Sequence, residues 1–359
     1  MVVLNTSTRN GISYEHKDEE ASGEKFIVKF RQNSYDISEF ISKHPGGVNT
    51  LNGLSNSDIT ARFMKAPPHS DAAMYLLKEY KINNSHKSQD IVARQQPLEN
   101  GIELIEENIK SNLLDDSMEH LVDWNKAMIP QIGKITQYYD EWVHKPVDRS
   151  LRLFNQSYLE VCTRTSWWMI PLFWLPVIFI ATSSEILNSW HDKNIPKLII
   201  LSMCFVIGIL FWTLLEYSLH RWVFHMKTNG KRNAWLCTLH FLIHGLHHKV
   251  PFDSKRLVFP PIAGTIIATT LYVPLSFLIP YPRVVLSGTV FGYLCYDLMH
   301  YYLHYGNPTL KHIYHMKRYH YQHHFAHQDK GFGISSPLWD FVFNTRIKLR
   351  KLRFQLRWH

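Results

Sequence analysis

The stretch LIILSMCFVIGILFWTLL, residues 198–215, contains 18 residues and no charged side chain. At 1.5 Å per helical residue, about 20 apolar residues cross the roughly 30 Å hydrocarbon core of a bilayer. Charge-free runs also occupy residues 166–184 and 257–282, and another apolar run continues from residue 284 to His304. Several such runs in one chain argue against the buried helices of a soluble protein. We therefore predict four membrane spans, at about 166–186, 198–217, 258–280 and 284–303.

The four spans pair into two hairpins, because the connections inside each pair are short. The hairpin tips carry only Lys193, Lys197 and Arg283, whereas residues 220–257 carry seven Lys and Arg and residues 305–359 carry ten. Basic loops remain on the cytosolic side of a membrane. We therefore predict that both termini face the cytosol. The net charge of +9 then reflects membrane orientation, and no recognition motif indicates nucleic acid.

Histidine is concentrated beside these spans, since 14 of the 22 His lie between His220 and His327. They form the motifs HxxxxH, HxxHH, HxxxH and HxxHH, in that order. Positions i, i+3 and i+4 share a helix face, and imidazole is a common metal ligand. Ten imidazoles exceed the four ligands of tetrahedral zinc and suit two ions of five or six ligands each. The candidate ligands are His220, His225, His244, His247, His248, His300, His304, His320, His323 and His324.

Three further residues are candidates for support of the metal ligands. Glu216 and Asp297 are acids at span ends, and such acids are functional candidates by default. We expect both to hydrogen-bond ligand imidazoles and fix their tautomers, and a salt bridge at a helix end is the alternative. His240 lies one helical turn before His244, and we assign it a supporting role outside the metal sites.

The N-terminal part of the chain has a different character. The segment FIVKFRQNSYDISEFISKHPGG, residues 26–47, predicts short strands, then a helix that ends in a glycine turn. That turn presents His44, and His69 follows 25 residues later. The pair could ligate one haem iron from both sides, although two exposed histidines would give the same pattern. The four Cys lack C-x-x-C spacing, which argues against a disulfide framework or a thiolate zinc site.

Over residues 12–92 the chain resembles the cytochrome b5 domain. The resemblance rests on Tyr35-Asp36, the 44–47 His-Pro-Gly-Gly turn, the 57–60 stretch and His69-Ser70. It implies haem b, one-electron transfer, and His44 and His69 as the axial ligands. Phe26 stands where the family usually has Trp, and residues 53–56 replace a more usual turn. Residues 93–165 are then a linker and membrane-surface segment.

The four histidine motifs resemble those of the membrane-bound fatty acid hydroxylase superfamily. Their flanks, including Glu216-Tyr217, Gly331-Phe332-Gly333 and Trp339-Asp340, are similar to the fatty acid (ceramide) 2-hydroxylase family. The resemblance implies that the ten histidines are catalytic as ligands of two iron ions, with zinc possible in isolated protein. It implies 2-hydroxylation of long-chain fatty acids or of the N-acyl chain of ceramide, for sphingolipid biosynthesis. Dioxygen would be the oxidant.

Together these features predict a mostly α protein of the endoplasmic reticulum membrane. A small α+β cytochrome b5-like domain, 12–92, precedes an integral membrane hydroxylase domain, 166–359, whose four-helix part carries a cytosolic helical cap with the histidine clusters. Electrons would come from a separate nicotinamide-dependent cytochrome b5 reductase, because no GxGxxG motif follows a strand. Two alternatives remain: a related sterol or sphingoid-base oxidase, and a non-enzymatic membrane protein that binds metal or haem.

Overall fold

The computed structural model describes residues 25–65, 69–82, 118–226 and 233–349, and within them the chain is mostly helical. The predicted haem module and linker are therefore described only in part, because residues 12–24, 66–68 and 83–117 lie outside the described residues. The same holds for residues 227–232 and 350–359 of the predicted hydroxylase domain.

The N-terminal module begins with two antiparallel strands, Ile27–Phe30 and Asn33–Asp36. Val28 and Phe30 are buried while Lys29 between them is exposed, as the alternation of a half-buried strand requires. The 3₁₀ helix Ser38–Lys43 and the helices Thr60–Lys65 and Asp71–Leu77 follow. The core of this module comprises Val28, Phe30, Tyr35, Ile37, Leu51, Ile59, Phe63 and Leu77.

The segment from Met118 to Arg164 is well packed. Its short helices are Ile129–Ile132, Tyr139–Val143 and Ser157–Cys162. Tyr139 and Trp142 are fully buried and pack in one cluster with Phe241, which belongs to the second histidine motif region. This segment therefore packs against the helices that carry the second histidine motif.

Three helices among the described residues are long and apolar enough to cross a membrane: Met169–His191, Ile195–Phe224 and Pro261–Leu278. They cover three of the predicted spans. The fourth predicted span lies in the helix Pro282–Tyr305, which is 24 residues long. This helix differs from the other three because it carries Asp297, His300 and His304 and buries many of its side chains against its neighbours. The mostly helical fold with several apolar helices is confirmed.

Two glycines bring the second and fourth long helices together. A Cβ on Gly208 would lie 2.1 Å from the carbonyl oxygen of Val285, and a Cβ on Gly288 would lie 2.0 Å from that of Phe205. Any side chain at these two positions would clash with the facing backbone, so only glycine permits this approach. Membrane helices that pack closely commonly have such small residues at their interface. The contact aligns the helix ends that carry His220 and His300.

The remaining helices cover this end of the bundle. The second long helix, Ile195–Ser218, continues as a π-helix, Leu219–Phe224. The second motif lies on a run of three elements: Ala234–His240, the π-helix Phe241–Gly245 and Leu246–Lys249. The fourth motif lies on Lys311–Phe325, and a short helix, Leu338–Val342, ends the described fold.

Candidate metal and haem sites

The ten candidate histidines converge as two groups of five. Group A comprises His220, His225, His244, His248 and His323, and group B comprises His247, His300, His304, His320 and His324. Within each group the candidate ligand nitrogens all lie within 4.8 Å of one another. The groups are neighbours, because the rings of His248 and His324 stack with their centres 4.3 Å apart.

Helix geometry explains how each motif delivers its histidines. The π-helix at Leu219–Phe224 accounts for the five-residue spacing of the first motif, since the amide of His225 donates to the carbonyl of His220 at 3.0 Å and a π-turn places i and i+5 together. In the second motif, adjacent His247 and His248 point into different groups. Each HxxHH motif therefore contributes to both groups.

The imidazoles meet through their Nε2 atoms. In group A the Nε2 atoms of His225 and His323 are 3.0 Å apart, and in group B those of His304 and His320 are 2.9 Å apart. Five converging nitrogens cannot all satisfy one another, because a neutral imidazole offers only one N–H. A cation at the centre of each group would be bound by all five lone pairs. The donor set therefore fits a metal ion.

Burial keeps these side chains in the form that binds metal. Desolvation, followed by the neighbouring histidines, holds the pKa of His244, His247, His248 and His324 well below the usual value of 6.5. A neutral imidazole is the metal ligand, and a protonated one is not. The buried groups therefore need no deprotonation at neutral pH before metal binds.

Backbone carbonyls hold the outer nitrogens of several imidazoles. The Nδ1 atom of His220 lies 2.6 Å from the carbonyl oxygen of Phe332, and that of His323 lies 2.7 Å from the carbonyl oxygen of Lys330. Each carbonyl can only accept, so Nδ1 donates and Nε2 keeps its lone pair for metal. The 330–332 loop thus sets the tautomers of two group A histidines.

The expectation that Glu216 and Asp297 hydrogen-bond ligand imidazoles is wrong. Their hydrogen bonds in the structure go to backbone amides and hydroxyl groups. Glu216 accepts from the amides of Ile334 and Ser335 at 2.9 and 3.0 Å, and from the Ser335 hydroxyl at 2.6 Å. Asp297 accepts from the amide of Phe259 at 3.1 Å and from the Tyr293 hydroxyl at 3.2 Å. Buried backbone amides need a hydrogen-bond acceptor, and in these loops the two carboxylates supply it.

The carboxylates therefore act on the loops that hold the histidines. Asp340, which the sequence analysis did not select as a site residue, accepts from the amides of Phe332 and Gly333, both at 2.9 Å. It fixes the peptide whose carbonyl contacts His220. The supporting role assigned to His240 stays a prediction; in the structure its Nδ1 lies 2.6 Å from the hydroxyl of buried Tyr139.

We expect replacement of Asp340 with asparagine to lower metal affinity and hydroxylation about 10- to 100-fold, the usual cost of losing a partner behind a metal ligand. The amide would place an N–H group against the donors of Phe332 or Gly333. Metal titration with product analysis measures the effect. Asp329→Asn, an exposed position before the same loop, is the matched control. Wild-type metal affinity in Asp340→Asn would show that the loop does not orient His220.

Two further features near group A were not found from the sequence. The ring of His144 lies 5.7 Å from that of His248, on the segment assigned to a linker. Lys249 is fully buried beside His248, where its Nζ donates to Glu119 at 2.7 Å and to two backbone carbonyls. Neither residue belongs to a repeated motif, so sequence spacing carried no signal for them.

The haem candidates His44 and His69 face each other, with ring centres 6.3 Å apart. Nδ1 of His69 lies 2.9 Å from the carbonyl of Phe63, and Nδ1 of His44 lies 3.1 Å from the Thr50 hydroxyl. Nε2 of each ring therefore remains for a ligand between them. Burial lowers the pKa of His44 to about 4 and also lowers that of His69, so both are neutral. The pair fits the axial ligation of one haem iron.

The geometry of the turn after His44 requires glycine at residues 46 and 47. A Cβ on Gly46 would lie 2.9 Å from Oγ1 of Thr50 and 3.0 Å from the His44 ring, and Gly47 has a φ of +80°. Larger residues would displace the ring or strain the backbone. The paired glycines of the sequence are sufficient to predict this turn.

Comparison with known proteins matches the two parts of the chain that contain these histidines. Residues 205–345 match the family model for fatty acid hydroxylase, and residues 14–85 match that for the cytochrome b5-like heme/steroid binding domain. The fatty acid 2-hydroxylase of Mus musculus is 36% identical over 338 residues, which cover 87% of this chain and 89% of the relative. The ceramide very long chain fatty acid hydroxylase of Saccharomyces cerevisiae is 30% identical, covering 89% of this chain and 91% of the relative.

A dihydroceramide fatty acyl 2-hydroxylase of Arabidopsis thaliana is 42% identical, but the match covers 63% of this chain and 93% of the relative. A solved structure of full-length scs7p, in which only the hydroxylase domain is visible, matches with a TM-score of 0.59 and 32% identity. That match covers 66% of this chain and 89% of the other. Both resemblances predicted from the sequence are confirmed.

Proposed function

Because this chain belongs to the fatty acid 2-hydroxylase family, we propose that it hydroxylates carbon 2 of long-chain fatty acids or of the N-acyl chain of ceramide. The observation that carries the proposal is the pair of five-histidine groups at the end of an apolar helix bundle. The mammalian and yeast relatives bear names that specify a fatty acid or ceramide hydroxylase. The product would enter sphingolipid synthesis.

The metal centre would hold one ion in group A and one in group B, as two iron ions. Imidazole also binds zinc well, so protein isolated without iron could contain zinc. When bound, the iron ions supply the activation of dioxygen that an acyl C–H bond needs. The chain itself provides ten imidazoles, fixes the orientation of His220 and His323 through the 330–332 loop, and excludes water by burying nine of the ten.

Haem b would be held by His44 and His69 and would supply one-electron transfer. The two neutral, partly buried imidazoles, with ring centres 6.3 Å apart, support this assignment. A nicotinamide-dependent cytochrome b5 reductase would be the separate partner that feeds it. Substrate, dioxygen and reductase are then the partners of the protein in the cell, together with the surrounding membrane lipid.

The proposed topology has four spans in the endoplasmic reticulum membrane, with both termini and the metal site on the cytosolic side. Three apolar helices and their exposed apolar side chains support it. The helix Met169–His191 is flanked by exposed Trp168 and ends near exposed Trp190, and Trp favours the two interfaces of a membrane. An acyl chain in the bilayer could then approach the histidine groups along the helix bundle.

Lipid analysis tests this function in the cell. Deleting the chain is expected to remove 2-hydroxylated acyl chains from sphingolipids and to raise the unhydroxylated species, as measured by mass spectrometry. Re-expression of the wild-type chain should restore the 2-hydroxylated lipids. If the deleted cells keep their 2-hydroxylated sphingolipids, or if only sterols or sphingoid bases change, the proposed substrate is wrong.

A further inference from the structure

The haem module packs against one face of the hydroxylase domain. Leu76 of the module forms a buried apolar cluster with Phe252, Tyr321 and Phe325. The ring of Phe40 packs edge-on against Phe252, with ring centres 5.7 Å apart. We call the Phe252–Tyr321–Phe325 surface the docking face.

Ion pairs surround this apolar contact. Nζ of Lys43 lies 2.5 Å from Oδ2 of Asp148, which also accepts from the Tyr80 hydroxyl at 2.6 Å. Arg149 donates two hydrogen bonds to Glu79, at 2.6 and 2.9 Å. Bidentate pairs specify geometry as well as adding energy. An apolar centre with a charged rim is the anatomy of a specific interface.

Tyr321 connects the two sites across this face. Its hydroxyl lies 3.0 Å from the carbonyl of Lys43, the residue before His44, and 3.3 Å from the carbonyl of His304 in group B. Its ring centre is 5.6 Å from that of His304. One buried side chain thus contacts the backbone next to a haem candidate ligand and a group B histidine.

We propose that the haem module docks at this face in the working protein and that Tyr321 is the positioning residue that couples His44 to group B. This inference rests on the proposed function. In protein loaded with haem and iron, the transfer that Tyr321 supports would take one electron from reduced haem, which would be oxidised, and pass it to the metal that group B would hold, which would be reduced. Tyr321 itself gains and loses neither electron nor proton.

A carbodiimide, which joins a lysine to a carboxylate in contact with it, tests the docking. In the full chain loaded with haem and iron in nanodiscs, we expect an amide link between Lys43 and Asp148 within one molecule. The pair Lys197–Glu185, at 3.3 Å, connects two membrane helices and serves as the internal positive control. A sample that forms the control link without the Lys43–Asp148 link would overturn the proposal.

Tyr321→Phe tests the coupling, because it removes the hydroxyl and keeps the ring. A lost hydrogen bond that leaves a buried carbonyl unpaired should slow the Lys43–Asp148 link, relative to the control link, by up to about tenfold. Oxidation of pre-reduced haem after mixing with dioxygen and substrate should slow as well. Tyr314→Phe is the matched control, since Tyr314 lies partly buried on the same helix but belongs neither to the docking face nor to either histidine group.

The two readouts separate the hypotheses. If Tyr321→Phe links and oxidises its haem at wild-type rates, Tyr321 is not the coupling residue. If wild-type protein forms 2-hydroxy product without the Lys43–Asp148 link, the docking is wrong and the proposed function stands. If the link forms in fully loaded protein that makes no product, the docking stands and the proposed function is wrong.

Discussion

Replacing His248 with alanine is expected to abolish 2-hydroxylation and to lower bound metal from two ions to about one per chain. His248 belongs to group A and lies in a buried site. Loss of a direct ligand should exceed the roughly 10- to 100-fold cost of losing a partner behind one. Metal analysis of purified protein and mass spectrometry of the product measure the two effects.

His324→Ala, in group B, should produce the same loss through the other ion. His312→Ala is the control for both variants, because His312 is exposed on the helix that carries His324 but belongs to neither group. If either ligand variant keeps two metal ions and wild-type turnover, the division into two five-histidine sites is incorrect. If metal falls but turnover does not, the chain binds metal without using it for catalysis.

Replacing His69 with alanine is expected to remove the haem absorbance spectrum and to stop hydroxylation driven by a nicotinamide cofactor and reductase. His69 lies outside the buried core cluster of the module, so that core should keep the module folded. Hydroxylation with a chemical reductant should persist, because the metal groups are intact. Absorbance spectra and product analysis measure the two outcomes.

His120→Ala is the control for His69, since His120 is exposed and lies outside both sites. An unchanged haem spectrum in His69→Ala would remove that residue as an axial ligand. Loss of both the spectrum and the chemically driven reaction would mean that the haem module supports the hydroxylase domain structurally.

The apolar helices and the histidine motifs could be predicted from the sequence because both depend on local spacing. Charge-free length indicates a membrane span, and i, i+3 and i+4 spacing indicates a shared helix face. The division into groups A and B could not be predicted. It requires that neighbours such as His247 and His248 separate, which depends on where distant helices pack.

The carboxylates show the same limit. Position at a span end suggested that Glu216 and Asp297 contact imidazoles, but the folded 330–335 and 257–259 loops present amides to them first. The sequence likewise does not predict that His144 lies near His248, or that the segment around Trp142 packs against the second histidine motif. Contacts between segments about 100 residues apart leave no periodic trace in one sequence.

The most direct test of the account uses purified full-length protein loaded with iron and haem, with reductase, a nicotinamide cofactor, a long-chain fatty acid or ceramide, and dioxygen labelled with heavy oxygen. We expect one labelled hydroxyl at carbon 2 of the acyl chain. A loaded protein that consumes reductant without hydroxylating the acyl chain, or that places the hydroxyl elsewhere, would contradict the account.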